Sequence, residues 1–183
     1  MNIQRRTIAV LLCALSSFSL LADAKAGIDK GLLVASENAK QPFIDALRSY
    51  VEIESGSNNR EGLLKIASLY EAHLKDLGFQ THRQASPVGA KADIITGVIK
   101  GKGKLRLMLM SHMDTVYPTG TIKTQPYKII DNKIYGPGIA DDKAGMAVII
   151  QSLQILLKSG WDDFDSITVV CNPDEEVLSL IHI

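Results

Sequence analysis

Leu105-Arg106-Leu107-Met108-Leu109-Met110-Ser111-His112-Met113-Asp114-Thr115-Val116 is the stretch on which the reading of this chain turns. Its first half, Leu105–Met110, is an apolar run of strand length. Its second half sets a histidine and an aspartate two residues apart where that strand stops. A turn-rich segment with Pro118 and Gly120 follows. Side chains two apart on an extended backbone point the same way, and function concentrates where a rigid element hands over to a loop. Taken alone, the pattern equally describes a surface histidine beside a turn-forming aspartate.

Outward from this stretch, helical and strand periodicities alternate. Upstream, Gly27 to Lys40 reads as an exposed lead-in. A helix opens at Gln41-Pro42, where the missing N–H of proline is harmless, and runs to about Ile53 on Phe43, Leu47, Tyr50 and Val51. Ser55 to Asn59 is a loop. A second helix carries Leu63, Ala67, Tyr70, Leu74 and Leu77 on one face and ends at Gly78. Phe79–Gln84 and Asp93–Lys100 read as strands, with a turn at Ser86–Ala90 between them. Gly101-Lys102-Gly103-Lys104 reads as a tight connection that makes a hairpin of Asp93–Lys100 and Leu105–Met110. It lacks the spacing and the following Ser/Thr of a phosphate loop.

Downstream, Tyr127–Ile130 and Lys133–Tyr135 form a small hairpin across Asp131-Asn132. Gly136 to Ala140 is a loop, Asp142 to about Ser159 a helix, and Ile167–Cys171 a buried strand. The fold class that follows is α/β, a mixed sheet with helices on both faces. His73 and His82 fall on a helix and a strand away from the other polar clusters and read as surface residues. No internal repeat or low-complexity tract is visible.

The chain has 183 residues, 46% of them apolar and 22% charged, with a formal net charge of zero. That is enough for one domain with a real core. It gives no reason to expect a nucleic-acid or anionic-membrane partner. Residues 1–24 read as a cleavable signal peptide: Arg5 and Arg6, an apolar stretch from Thr7 to Leu21 broken by serines, then the small residues of Ala22-Asp23-Ala24. The expected location is periplasmic or secreted, with no stable membrane insertion after cleavage. Cys13 falls in the discarded peptide. Cys171 then has no partner for an intrachain disulfide and reads as a small core residue.

Three polar clusters share one context. His112/Asp114 and Glu175/Glu176 each follow an apolar strand, and Asp141/Asp142 follows a Gly-rich loop and opens a helix. In open α/β sheets, sites form at the carboxyl ends of strands and at helix N-termini, so the clusters can converge. Histidine and carboxylates are the ligand set of catalytic zinc, and a bridging carboxylate can hold two metals about 3.5–4 Å apart. Asp114 is placed to fix the ring of His112. In Glu175-Glu176 one carboxylate can bind metal while its neighbour takes a proton as general base. Each cluster also has a plain reading: Asp141-Asp142 as a helix cap, Glu175-Glu176 as a solvated edge, Gly136-Pro137-Gly138 as a turn.

Ser111 to Val116, Tyr135 to Lys143 and Asn172-Pro173-Asp174-Glu175-Glu176, in that order, resemble the zinc exopeptidase family of glutamate carboxypeptidase, aminoacylase and succinyl-diaminopimelate desuccinylase. Bacterial glutamate carboxypeptidases are the nearest branch. The resemblance extends upstream through Glu54-Ser55-Gly56-Ser57 and Leu77-Gly78-Phe79. It implies a zinc-exopeptidase catalytic domain and two zinc ions. His112 would bind one zinc, Glu176 the second, and Asp141 would bridge both, with a cis peptide to Asp142. Glu175 would be the general base and Asp114 would orient His112.

The resemblance implies a metal-dependent hydrolase that uses zinc-activated water to cleave the amide bond to a C-terminal amino acid. Glutamate from folate-like or N-acyl substrates is the expected product. It covers residues 25–177 as a partial catalytic domain, and Leu178 to Ile183 departs from the pattern. Further metal ligands and a second, dimerising domain would lie beyond, so the chain is expected to be an inactive fragment and a homodimer only at full length. His182, six residues past Glu176, reads as a stray tail residue. The alternative reading is a non-catalytic exported binding module on the same scaffold.

Overall fold

The computed structural model describes residues 27–85 and 91–177. The expected signal peptide at 1–24, the turn at Ser86–Ala90 and the tail at 178–183 with His182 lie outside the described residues. Among the described residues no helix is long and apolar enough to cross a membrane.

Asp29 caps helix α1 (Lys30–Asn38), accepting from Gly31 N at 2.8 Å and Leu32 N at 3.0 Å. The lead-in is exposed as expected, but it is helical rather than irregular. The helix buries none of its residues, so no apolar stripe announces it. Helix α2 (Lys40–Val51) carries Pro42 in its first turn and buries Leu47, Tyr50 and Val51. Helix α3 (Arg60–Asp76) buries Leu63, Ile66, Ala67, Tyr70 and Leu74, a stripe at helical spacing, and Gly78 at φ 86° ends it. His73, expected at the surface, is half-buried instead, with Nδ1 2.5 Å from the Tyr50 hydroxyl.

Strands β1 (Gln80–Ala85), β2 (Asp93–Lys100) and β3 (Arg106–His112) follow. The hairpin of β4 (Lys128–Ile130) and β5 (Lys133–Tyr135) turns on Asp131 and Asn132, at φ 49° and 60°. Two successive left-handed residues match the twist of a two-residue hairpin. Helix α4 (Ala144–Lys158) and strand β6 (Ser166–Asn172) complete the order. Helix α4 starts two residues later than Asp142, because Ile139–Lys143 forms a π-turn in which Asp141 and Asp142 have non-helical dihedrals.

The main sheet has the order β1-β2-β6-β3. β1 pairs antiparallel with β2 and β2 antiparallel with β6, while β3 pairs parallel with β6. The mixed sheet is therefore present, but the expected hairpin of β2 and β3 is not. β6 is inserted between them. Gly101 N donates to Asp165 O at 3.2 Å, Lys102 N to Asp162 O at 2.8 Å and Gly103 N to Phe164 O at 2.9 Å. A Cβ on Gly101 would lie 2.3 Å from Phe164 O, and one on Gly103 2.4 Å from the Asp163 carbonyl carbon. The two glycines let the connection cross tightly over the entry to β6, a role their spacing disguised as a hairpin turn.

Ile95, Ile167, Val169 and Cys171 form one face of the sheet and share a buried cluster with Leu63, Tyr70, Leu74, Met146 and Ile150 of α3 and α4. Among the described residues, the helices that touch the sheet lie on this face. The alternate residues of β3 point the other way, leaving Met108 63% and Met110 53% exposed. Helical cover, expected on both faces, is thus found on one within the described residues.

Glu71 ties α3 to β1. It accepts from Thr81 Oγ1 at 2.9 Å, from Arg83 Nε at 2.8 Å and from Arg83 Nη2 at 2.7 Å, and pairs with Lys75 at 2.9 Å. Lys75 above all, with Arg83 and Thr81 and against burial, holds its carboxyl down at about 2, against an ordinary value of 4.5. A carboxylate lowered by folding adds stability above its unfolded pKa and loses it as pH falls through the folded one. Glu71→Gln is expected to cost about 1 kcal/mol at pH 7 and progressively less as the pH falls from 4.5 towards 2. Urea denaturation at pH 7 and near pH 3 measures this, and an equal loss at both would contradict it.

Candidate metal centre

β3 and β6 run parallel, so their carboxyl ends finish on the same side of the sheet. The register pairs His112 with Asn172, and Met113 N donates to Asn172 O at 2.8 Å beyond the last pair. His112/Asp114 and the Glu175–Val177 turn are therefore neighbours although more than sixty residues separate them in sequence.

Asp114 joins these two segments. It is fully buried. Its Oδ1 accepts from Glu175 N at 3.0 Å and lies 3.3 Å from His112 Nδ1. Its Oδ2 accepts from Ser57 Oγ at 2.8 Å and from Glu176 N at 3.1 Å. Burial alone would raise its pKa, but the bonds from His112, Ser57 and the two backbone amides outweigh it and hold the carboxyl below the ordinary range.

The third cluster arrives on the π-turn. The Asp141–Asp142 peptide is cis, as the resemblance implies. Gly138, at φ 69°, starts the turn, and a Cβ there would lie 2.4 Å from Thr115 Cγ2. Asp142 Oδ2 accepts from His112 N at 3.3 Å. Its carboxylate folds over Gly145, where a Cβ would come within 2.0 Å of Oδ1. Asp141 Oδ1 then lies 2.9 Å from His112 Nε2.

One donor atom each from His112, Asp141 and Glu176 fall within 4.8 Å of one another. A ring nitrogen and two carboxylates at this separation are a donor set that suits zinc. Glu175 Oε2 stands 3.9 Å from His112 Nε2, beside the cluster. Burial acts to lower the His112 pKa, but the bonds to Asp114 and Asp141 overcome it and push it up to about 9. Burial, and next the charge of Asp141, raise the Glu176 carboxyl. A concentration of negative charge around one histidine is what a cation would relieve.

The structure thus brings together His112, Asp114, Asp141, Glu175 and Glu176. An open cleft of about 450 Å³ lined by Ser57, Asn59, Thr115, Tyr117 and Glu176 adjoins them. A larger groove of about 830 Å³ lies between α1 and α4 and holds none of these residues. Two participants carried no sequence signal of their own: Ser57, which bonds Asp114, and Lys143. Asp142, legible as half of an aspartate pair, proves to bond the His112 amide. Lys143 is buried, its Nζ donates to Ile53 O at 2.7 Å, and burial lowers its pKa to about 8. Ser57 and Lys143 both lie inside motifs that were legible, but only the contact shows what each does.

Residues 108–180 match the family profile described as Peptidase family M20/M25/M40. The chain is 42% identical to Carboxypeptidase G2 of Pseudomonas sp. (strain RS-16) over 96% of its own length and 42% of that protein's. It is 31% identical to an acetylornithine deacetylase of Salmonella paratyphi B over 64% of this chain and 32% of that one. Human carnosine dipeptidase 1 superposes with a TM-score of 0.70 at 18% identity, over 82% of this chain and 35% of that one, a likeness of fold. The chain is thus a relative of the metallopeptidases of family M20/M25/M40, and it spans less than half the length of these relatives.

Asp114→Ala would strand His112 and free two backbone amides and a serine hydroxyl in a buried setting. The expected cost is about 3 kcal/mol, read by urea denaturation. A loss below about 1 kcal/mol would show that Asp114 does not carry the junction.

Proposed function

We propose that the protein is a zinc-dependent carboxypeptidase that hydrolyses the amide bond to a C-terminal amino acid, with glutamate as the residue released from N-acyl or folate-like substrates. The observation that carries this is the meeting of His112, Asp141 and Glu176 donor atoms within 4.8 Å, with Glu175 alongside. The similarity to Carboxypeptidase G2 supports the carboxypeptidase reading.

His112 and Glu176 would each hold one zinc ion and Asp141 would bridge the pair. Zinc bound there would polarise the scissile carbonyl and make water acidic enough to attack at neutral pH. Every other step belongs to the chain. Glu175 accepts the proton of the attacking water on its carboxylate and returns it to the leaving nitrogen. Asp114 holds the His112 ring by its Nδ1 side, leaving Nε2 towards Asp141. The same carboxylate bonds the amides of Glu175 and Glu176, so base and ligand are held from one point. The cleft beside Glu176 offers room for the acyl part of the substrate. Export through residues 1–24 fits a periplasmic or secreted hydrolase.

At the full length of its relatives, the purified protein is expected to retain zinc after dialysis. In a version carrying the full length of its relatives, Glu175→Ala is expected to retain zinc while glutamate release falls by about 10³-fold. Metal analysis and an N-acyl-glutamate assay decide it. Unchanged glutamate release in Glu175→Ala, or no retained zinc, would sink the proposal.

A further inference from the structure

The proposed chemistry gives Lys143 no part, yet its burial is unusual. The side chain is 1% exposed and among the largest fully buried side chains of the molecule. Taking an ammonium out of water is costly unless its hydrogen bonds are replaced, and an apolar side chain of the same length would fill the space without that cost. Lys143 also sits one residue past Asp141-Asp142, where any pull on it is felt by the turn that carries Asp141.

Its Nζ donates to Ile53 O at 2.7 Å. Ile53 opens the segment 53–59, which touches the rest of the site at successive residues. Glu54 Oε1 accepts from Gly120 N at 2.8 Å and Ile122 N at 3.0 Å, fastening the loop after Thr115. Ser55 O accepts from Thr115 N at 3.0 Å, and Ser57 N donates to Thr115 O at 3.2 Å. Ser57 Oγ reaches Asp114 at 2.8 Å. The segment is packed so closely that a Cβ on Gly56 would lie 2.3 Å from Tyr117 O. It is therefore a rigid bar whose far end holds Asp114.

Asp141 itself has little to hold it. Its side chain is 75% exposed, and among the described residues the bond to His112 Nε2 is the one hydrogen bond its carboxylate makes. The bond from His112 N to Asp142 is long, at 3.3 Å. The short bond between the turn and the bar is that of Lys143. We infer that Lys143 is a positioning residue: its ammonium clamps the Asp141 turn to the 53–59 segment, and so sets the distance of Asp141 from His112 and Glu176. The consequence for metal rests on the reading of the site as a zinc centre; the clamp itself does not.

Lys143→Met keeps the length of the side chain and removes the donor. Zinc affinity of the chain, read by competition with a chromophoric chelator, is expected to fall at least about tenfold. Amide exchange at Ser57 and Thr115 is expected to quicken. Leu153→Ala, a core truncation further along α4 and away from the site, is the control for general loosening and is expected to leave zinc affinity unchanged. Equal weakening in both variants would make Lys143 a structural residue only and overturn the inference. Lys143→Leu, which also lacks the donor, replaces Lys143→Met should that variant not fold. In whichever variant folds, unchanged exchange at Ser57 and Thr115 overturns the clamp. Absence of zinc binding by the unaltered protein at the full length of its relatives would overturn the zinc reading instead, and the exchange measurement alone would then decide the clamp.

Discussion

The structure depends on one buried carboxylate. Asp114 has no contact with water and accepts hydrogen bonds from Ser57 and from the amides of Glu175 and Glu176, with the His112 ring beside it. A charge in that position is tolerated only because all its acceptor capacity is used. The requirement works in both directions. The partners stabilise the anion, and the anion fixes three separate pieces of chain, after α2, after β3 and after β6, at one point. A buried network of this kind is worth keeping only when complete, because a half-satisfied one costs more than an apolar core.

Around that point the backbone is drawn in until only glycine fits. A Cβ on Gly62 would lie 1.7 Å from Glu54 O, one on Gly138 2.4 Å from Thr115 Cγ2, and one on Gly145 2.0 Å from the Asp142 carboxylate. Gly56 and the crossing at Gly101–Gly103 follow the same logic. Close approach lets short polar side chains bond across segments directly, where longer ones would have to be immobilised at an entropic cost. The donor atoms of His112, Asp141 and Glu176 are thereby brought together from the ends of β3 and β6 and from the 139–143 turn. Side chains borne on such elements are held to a narrower geometry than side chains on free loops.

Much of the element order was legible in the chain. The stripes of α3 and α4 and the apolar runs of β2, β3 and β6 declare themselves by period and length. The misreadings have identifiable causes. Helix α1 buries nothing, so it has no period to find. Gly101–Gly103 resembles a hairpin connection because a tight crossing and a tight turn demand the same residue. The sequence pattern puts the start of α4 two residues early because an aspartate pair before an apolar stripe also looks like a cap. His73 looks exposed in the sequence because its partner, Tyr50, lies on another helix.

The sequence by itself determined the chemistry on offer: a histidine and an aspartate at the end of one strand, two glutamates after another, two aspartates after a glycine loop. Periodicity also set where those residues fall relative to their own elements, since it depends only on neighbours along the chain. Tertiary structure decided that they meet. The convergence follows from β6 inserting between β2 and β3 and running parallel to β3, which puts His112 opposite Asn172. It also decided that Asp114 serves Glu175 and Glu176 as well as His112, and that Ser57 and Lys143 belong to the site. Such pairings depend on contacts between residues far apart in sequence, which no local pattern encodes.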